Sequence, residues 1–326
     1  MRFIAFLLVA GFAWTGAWAG VVWTGAGSAW AAQPDITVTL LGTGSPIPLP
    51  DRFGPATLVQ ANGQALLFDA GRGVTIRLFQ LGVPMRTVDP VFFTHYHSDH
   101  VDGLTDLWLT GWLAGPWAGR SKPLHLIGPT GVKALAAGLR QSYADDIRIR
   151  IADEHYPPEG VVLETQEFTR DGTVYEKNGI KVTAFEVNHG DLIKPAYGYR
   201  VDYNGHAVVI SGDTRYNDNV IKYGTGVDLL VHEVCAARPE IENDKVMRAI
   251  IAHHTSPADA GRVFSAARPK LAVFSHIVLL AEPKVPAPTV DDIVRQTRET
   301  YQGPLVVGAD LMSFAISREG VTSIKR

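Results

Sequence analysis

The chain has 326 residues, 46% of them hydrophobic, enough to bury a large core in one sizeable domain. Its formal net charge of −3 leaves no polybasic footprint of the kind that marks a nucleic-acid binder. A single cysteine, Cys235, excludes an internal disulfide, so the fold must rest on its core and on whatever its ligating side chains hold.

From Phe3 to Pro34 there is no charged side chain; Arg2 supplies a minimal positive start, and Ala29-Trp30-Ala31 ends the run as a small-x-small site. The pattern predicts a signal peptide over residues 1–31, with an uncleaved membrane anchor as the alternative, and one hydrolase domain over 32–326. In either case that domain is expected outside the cytoplasm, periplasmic or secreted.

The densest information follows the apolar run Val91-Phe92-Phe93, where Thr94-His95-Tyr96-His97-Ser98-Asp99-His100 packs four metal-ligating side chains into six residues. In an extended stretch His95 and His97 project to one side and can share a cation, while Asp99 and His100 can reach a second. Next comes Leu107 to Trp117, whose indoles at 108, 112 and 117 either line the mouth of a site or pack into the core. A catalytic zinc usually takes three protein ligands, so partners are required downstream. They stand where strands should end: His189 after Ile180 to Val187, Asp213 after Ala207 to Gly212, and His276 after Leu271 to Ser275. Between the last two lie His232-Glu233, after Asp228 to Val231, and His254-Thr255-Ser256 before a helix-like segment, Pro257 to Ala267.

On these motifs the chain resembles the metallo-β-lactamase fold superfamily over nearly all of residues 36 to 318. Leu40-Leu41-Gly42-Thr43-Gly44-Ser45-Pro46 is similar to its opening strand and loop, and Leu67-Phe68-Asp69-Ala70-Gly71 to its second landmark. The resemblance implies an α/β, four-layer αββα sandwich with a dinuclear metal site at one edge. It implies that His95, His97 and His189 hold one metal, that Asp99, His100 and His276 hold the other, and that Asp213 bridges them. The branch it looks most like contains ribonuclease Z and the zinc-dependent arylsulfatases. There a glutamate, here Glu233, orients a histidine, here His254, that gives a proton to the leaving group. The order His-Thr-Ser departs from that branch's His-Ser-Thr and leaves the hydroxyl partner open; His254 acting only as a helix cap is the other reading.

Two zinc ions are expected, with Mn2+ or Fe2+ equally suited to His and Asp ligands. A water between them is acidified toward neutral pH, Asp99 or Asp213 orients it, and His254 acts as general acid at a pKa near neutrality. Arg52, Arg72 and Arg215 lie near the motif loops and either clamp an anion or, as the commoner role for any one of them, are solvated at the surface. The branch's RNA-gripping arm is a basic, protruding insertion. The matching interval, Asp145 to Asn178, is rich in acids instead. The expected function is therefore an exported hydrolase of a small-molecule phosphodiester or sulfate ester. A ribonuclease Z-like endonuclease and a lactone or carboxylic ester hydrolase are the alternatives. The expected partner is a small ester rather than nucleic acid, with membrane contact only through an uncleaved N-terminus; a homodimer is compatible.

Overall fold

A computed structural model describes residues 33–324. The expected signal peptide or anchor over 1–31 lies outside the described residues. The first half of the fold runs β1 (Ile36–Gly42), β2 (Ala56–Ala61), β3 (Gln64–Phe68), α1 (Val74–Leu81), β4 (Val88–Phe92), α2 (Ser98–Val101), α3 (Leu104–Trp112), β5 (Leu124–Pro129), α4 (Val132–Ser142), α5 (Ala144–Ala152) and β6 (Leu163–Phe168). The second half runs β7 (Gly172–Lys177), β8 (Ile180–Glu186), β9 (Tyr197–Tyr203), β10 (His206–Ile210), α6 (Asp218–Gly224), β11 (Leu229–Ala236), α7 (Lys245–Ile251), α8 (Pro257–Ala267), β12 (Leu271–Leu279), α9 (Val290–Arg298) and β13 (Leu305–Val307). The hairpin β14 (Ser313–Ser317) and β15 (Gly320–Ile324) then returns to the first sheet.

One sheet has the order β15-β14-β1-β2-β3-β4-β5-β6 and the other β13-β12-β11-β10-β9-β8-β7. Each combines an antiparallel part with a parallel part: β3 to β6 run parallel in the first, β10 to β13 in the second. Strict alternation along the strands builds the layers. In β4, Phe92 faces the other sheet while Val91 faces the helices; in β10, Val208 and Ile210 point inward and Ala207 and Val209 outward. Both faces are covered, so these strands read as unbroken apolar runs. Helices α1, α3 and α4 cover the first sheet and α6, α8 and α9 the second, giving the αββα sandwich the sequence implied.

Two points left open by the sequence are decided here. Trp108 and Trp112 do not line a site mouth. They are 0% and 1% exposed in the core between α3 and the first sheet, and their indole nitrogens donate to the carbonyls of Val161 (2.9 Å) and Pro157 (2.8 Å). Their four-residue spacing puts both on the buried face of α3. The interval Asp145 to Asn178 is likewise no protruding arm: its first part is helix α5 and its second part is built into the sandwich as β6 and β7, the edge strands of the two sheets. Its acids are partly neutralised locally, with Arg150 between Asp146 (3.0 Å) and Glu154 (3.2 Å) on the outside of α5.

Candidate metal centre

The centre lies at the carboxyl ends of the parallel strands, where loops can project ligands without breaking ladder hydrogen bonds. After β4 the chain leaves the sheet, and His95 and His97 converge as expected: His95 Nε2 is 3.0 Å from His97 Nδ1. His189, from the loop after β8, brings its Nε2 to 3.2 Å from the same His97 atom. Two of the three rings are aimed by their far sides. His95 Nδ1 donates to Thr94 Oγ1 (3.0 Å) and His189 Nδ1 to the His253 carbonyl (2.9 Å). With those protons committed, His95 Nε2 and His189 Nε2 both turn lone pairs toward His97 Nδ1, an arrangement that suits a shared cation.

Asp213, just past β10, faces all of this. Its Oδ2 is 3.2 Å from His276 Nε2, 3.3 Å from His100 Nε2, 3.6 Å from His189 Nε2 and 3.8 Å from His95 Nε2. Asp99 Oδ2 lies 3.2 Å from His276 Nε2 and 3.7 Å from His100 Nε2. Burial alone would raise the Asp213 pKa, but the imidazoles of His276 and His100 outweigh it and hold the carboxyl well below its usual range. His95 is pushed well below the ordinary histidine value, first by burial and then by His100. The ligand atoms form three overlapping groups, His95, His97, His189 and Asp213; Asp99, His100 and His276; and Asp213, His254 and His276, each within a span of 4.8 Å. His100 Nε2 and Asp213 Oδ1 are buried and have no hydrogen-bond partner among the described residues. Imidazole and carboxylate donors left in this way fit divalent transition metals.

The backbone around the centre is shaped for it. Asp69, which the sequence marked only as part of a landmark, accepts Thr94 N and Thr94 Oγ1 (both 2.9 Å) and His100 Nδ1 (2.8 Å). It sits in the left-handed region at φ 59°. Gly71 lets this turn lie against the centre: a Cβ there would come within 2.5 Å of the Asp99 carbonyl oxygen. His276 does not follow its strand, as expected, but lies within β12 at φ 42°. Beside it, the register of β11 with β12 slips between His232 and Val234, so Glu233 faces Ser275 and His276 together. This bulge turns both Glu233 and His276 toward the centre.

Glu233 Oε1 lies 3.1 Å from His254 Nδ1. Burial would lower the His254 pKa, but Glu233 outweighs it and carries it to about 9, above the near-neutral value anticipated. His254 is not the cap of α8; Ser256 is, through its hydroxyl to Asp259 N (3.1 Å), while Thr255 Oγ1 donates to the Thr214 carbonyl. His254 instead lines a cavity of about 240 Å3 together with His97, Asp99, His189, Asp213 and His276. The rest of its wall is mostly apolar, with Ile47, Ile250, Val278 and Leu280, residues that no sequence motif marked. His253, its chain neighbour, also lines it. The doublet His253-His254 was the available signal. A cavity of about 310 Å3, at the opposite ends of the parallel strands beside Asp89, His125 and Glu164, contains none of these groups.

The three arginines do not reach the cavity. Arg52 donates to Thr43 Oγ1 (2.7 Å) and the Gly308 carbonyl (2.9 Å). Arg72 pairs with Asp102 at 3.6 Å, and Arg215 donates to the Ala252 carbonyl. Loop carbonyls and a neighbouring carboxylate occupy guanidinium groups that the sequence left free to clamp an anion.

A model of the beta-lactamase superfamily domain matches residues 64–277. The chain belongs to the metallo-β-lactamase superfamily. Ribonuclease Z of Mycobacterium marinum is 35% identical over 281 residues, 85% of this chain and 97% of that protein. The protein of the same name from Mycobacterium tuberculosis is 34% identical over 282 residues, 85% of this chain and 96% of its own length. Among solved structures, the metallo-β-lactamase fold protein YhfI from Bacillus subtilis aligns with TM-score 0.65 at 19% identity, covering 85% of this chain and 98% of that one. The short form of human tRNase Z aligns at 0.63 and 22%, covering 86% and 99%. These two structures share the fold. As a member of the metallo-β-lactamase superfamily, the chain is a metal-dependent hydrolase acting on ester bonds.

Proposed function

We propose that this superfamily member is a dinuclear zinc phosphodiesterase of the ribonuclease Z kind, cutting RNA near its 3′ end. The observation that carries the reading is the Glu233–His254 pair on the same cavity as the ligand cluster, in a chain 35% identical to a ribonuclease Z over 85% of its length. His95, His97 and His189 would hold one zinc and Asp99, His100 and His276 the other, with Asp213 between them. Bound there, the pair supplies Lewis-acid polarisation of the ester and an acidified water. Asp99 offers a carboxylate oxygen that orients the attacking water. Glu233 keeps a proton on His254, whose Nε2 is the ring nitrogen left to deliver it to the departing oxygen.

A second reading rests on the cavity wall. Ile47, Ile250, Val278 and Leu280 border it, and among the described residues no lysine or arginine does, which favours a small phosphodiester or sulfate ester with a flat apolar group. Export directed by residues 1–31 belongs with this reading, and cell fractionation tests it. Turnover by the zinc-loaded protein, offered precursor transfer RNA, an aryl phosphodiester and an aryl sulfate side by side, decides between the two. Cleavage of the RNA that disappears in Asp213→Ala supports the first reading; turnover of a small ester alone replaces it with the second.

A further inference from the structure

Beneath the centre, between the two sheets, lies a second cavity of about 30 Å3, walled in part by Phe68, Ile210 and Val231. Five of its lining residues each carry a side-chain atom with no hydrogen-bond partner among the described residues: His100 Nε2, Asp213 Oδ1, His232 Nε2, Glu233 Oε2 and His276 Nδ1. These residues are 1% to 5% exposed, and buried polar atoms of that kind are seldom left unpaired. Five such atoms around one small space are not coincidental neighbours.

The donor and acceptor roles can be assigned. His232 Nδ1 donates to the Glu233 carbonyl at 2.7 Å, so its Nε2 is an acceptor. Glu233 Oε1 is used by His254 and by the backbone amides of Thr214 and Thr255, which leaves Oε2 as a second acceptor. His276 turns Nε2 toward Asp99 and Asp213. On the proposed function above, that nitrogen is given to a metal, so Nδ1 carries the proton and is a donor. One water that accepts from His276 Nδ1 and donates to His232 Nε2 and Glu233 Oε2 closes this inventory, and the cavity has room for it. Asp213 Oδ1 and His100 Nε2 are then left for the metals.

We propose that this cavity is a built solvent site and that His232 is a positioning residue for the centre. Through the water, His232 fixes the plane of the His276 ring and the orientation of the Glu233 carboxylate that holds His254. The metal ligands and the proton donor are thereby tied to one buried hydrogen-bond junction. The ring of His232 also meets Phe264 edge-on with centroids 5.6 Å apart, and with Nδ1 given to the Glu233 carbonyl, Nε2 is the polar atom it has left to offer.

Two measurements on the zinc-loaded full chain test this. A high-resolution crystal structure is expected to show a solvent peak within hydrogen-bond distance of His232 Nε2, Glu233 Oε2 and His276 Nδ1; a cavity without such a peak overturns the proposal. In chelator competition, His232→Phe keeps the ring and its Phe264 contact but loses the acceptor, and should weaken zinc binding about 10–100-fold, as loss of an outer-sphere partner does. Its kcat should fall with KM unchanged, and His232→Gln, which returns an acceptor near Nε2, should recover most of both. Zinc affinity and kcat equal to wild type in His232→Phe would also overturn it. If that variant does not fold, the wild-type density decides. Neither the density nor the competition requires a substrate, so failure on every ester removes the proposed function and leaves this inference standing. A protein that binds no zinc removes the dinuclear reading, and the density still decides the solvent site.

Discussion

Glu233 Oε1 lies 3.1 Å from His254 Nδ1 and accepts the backbone amides of Thr214 and Thr255 at the same distance. Two amides fix the carboxylate, so His254 is paired with a charge that cannot swing away. Burial disfavours the imidazolium, Glu233 more than reverses this, and the pKa rises to about 9 from an ordinary value of about 6.5. Because the folded value is the higher one, the pair's contribution to stability is complete below about pH 6.5 and is lost as pH rises through about 9. As proton donor, His254 should keep kcat high up to that pH and let it fall above. Glu233→Gln should move this fall down toward neutrality, and His254→Ala should cost about 10²–10⁴-fold in kcat with little change in KM. A Glu233→Gln profile with an unmoved alkaline limb would remove His254 from the mechanism.

Asp213 is the carboxylate nearest to four imidazoles at once, so its loss should remove metal rather than merely slow turnover. Asp213→Ala is expected to retain little zinc by elemental analysis and to show no measurable hydrolysis. A ligand present at 100 times its Kd stabilises the fold by about 2.7 kcal/mol. Chelator should therefore lower the wild-type Tm and leave that of Asp213→Ala nearly unchanged. Full zinc occupancy in the variant would argue against the bridging role.

Asp69 faces three donors, Thr94 N, Thr94 Oγ1 and His100 Nδ1, the last two on Oδ2. Asparagine tolerates the left-handed backbone at this position, so Asp69→Asn should fold. Its amide nitrogen, however, would meet donors where Oδ2 now accepts two bonds. Zinc affinity is expected to drop about 10–100-fold, the range seen when a partner that orients a ligand is lost. Unchanged affinity would show that His100 is held in place without Asp69.

Trp108 tests the reassigned indoles. Fully buried and bonded to the Val161 carbonyl, it should cost about 3–5 kcal/mol of stability on change to alanine, measured by denaturant unfolding. Its kcat and KM should stay near wild type wherever the variant is folded. A rise in KM without loss of stability would return the indole to the substrate path.

The ligand cluster was legible in the sequence because its parts obey local rules. His95 and His97 are two residues apart in extended chain, and His189 and Asp213 stand within three residues of the ends of alternating or unbroken apolar runs. His276 was found for the right residue type but at the wrong place in its strand. A bulge is set by how two strands pair, and the two-residue period of β12 alone does not disclose it. The same slip hides why Glu233 can face both His254 and His276. Asp69 was harder, since its role exists only once His100 arrives from a later segment. The arginines misled because charge in a loop is visible in sequence, whereas the Gly308 carbonyl that satisfies Arg52 lies 256 positions away.

The apolar side of the active cavity offers a test of what the enzyme holds against its centre. Ile47 borders that cavity from the loop after β1 and is 47% exposed, so Ile47→Asp should leave the fold intact. If an aryl group rests there, about half of a side chain's burial is at stake, roughly 0.7–1.5 kcal/mol. That corresponds to an increase of about 3–12-fold in KM for an aryl phosphodiester, with kcat held. A methyl phosphodiester, which leaves the wall uncovered, should show no such change. If the aryl substrate keeps its KM in Ile47→Asp while precursor transfer RNA loses affinity, the wall belongs to a polynucleotide path, and the ribonuclease reading gains over the small ester. Equal insensitivity of both substrates would mean that the apolar wall closes the cavity without touching what is cleaved in it.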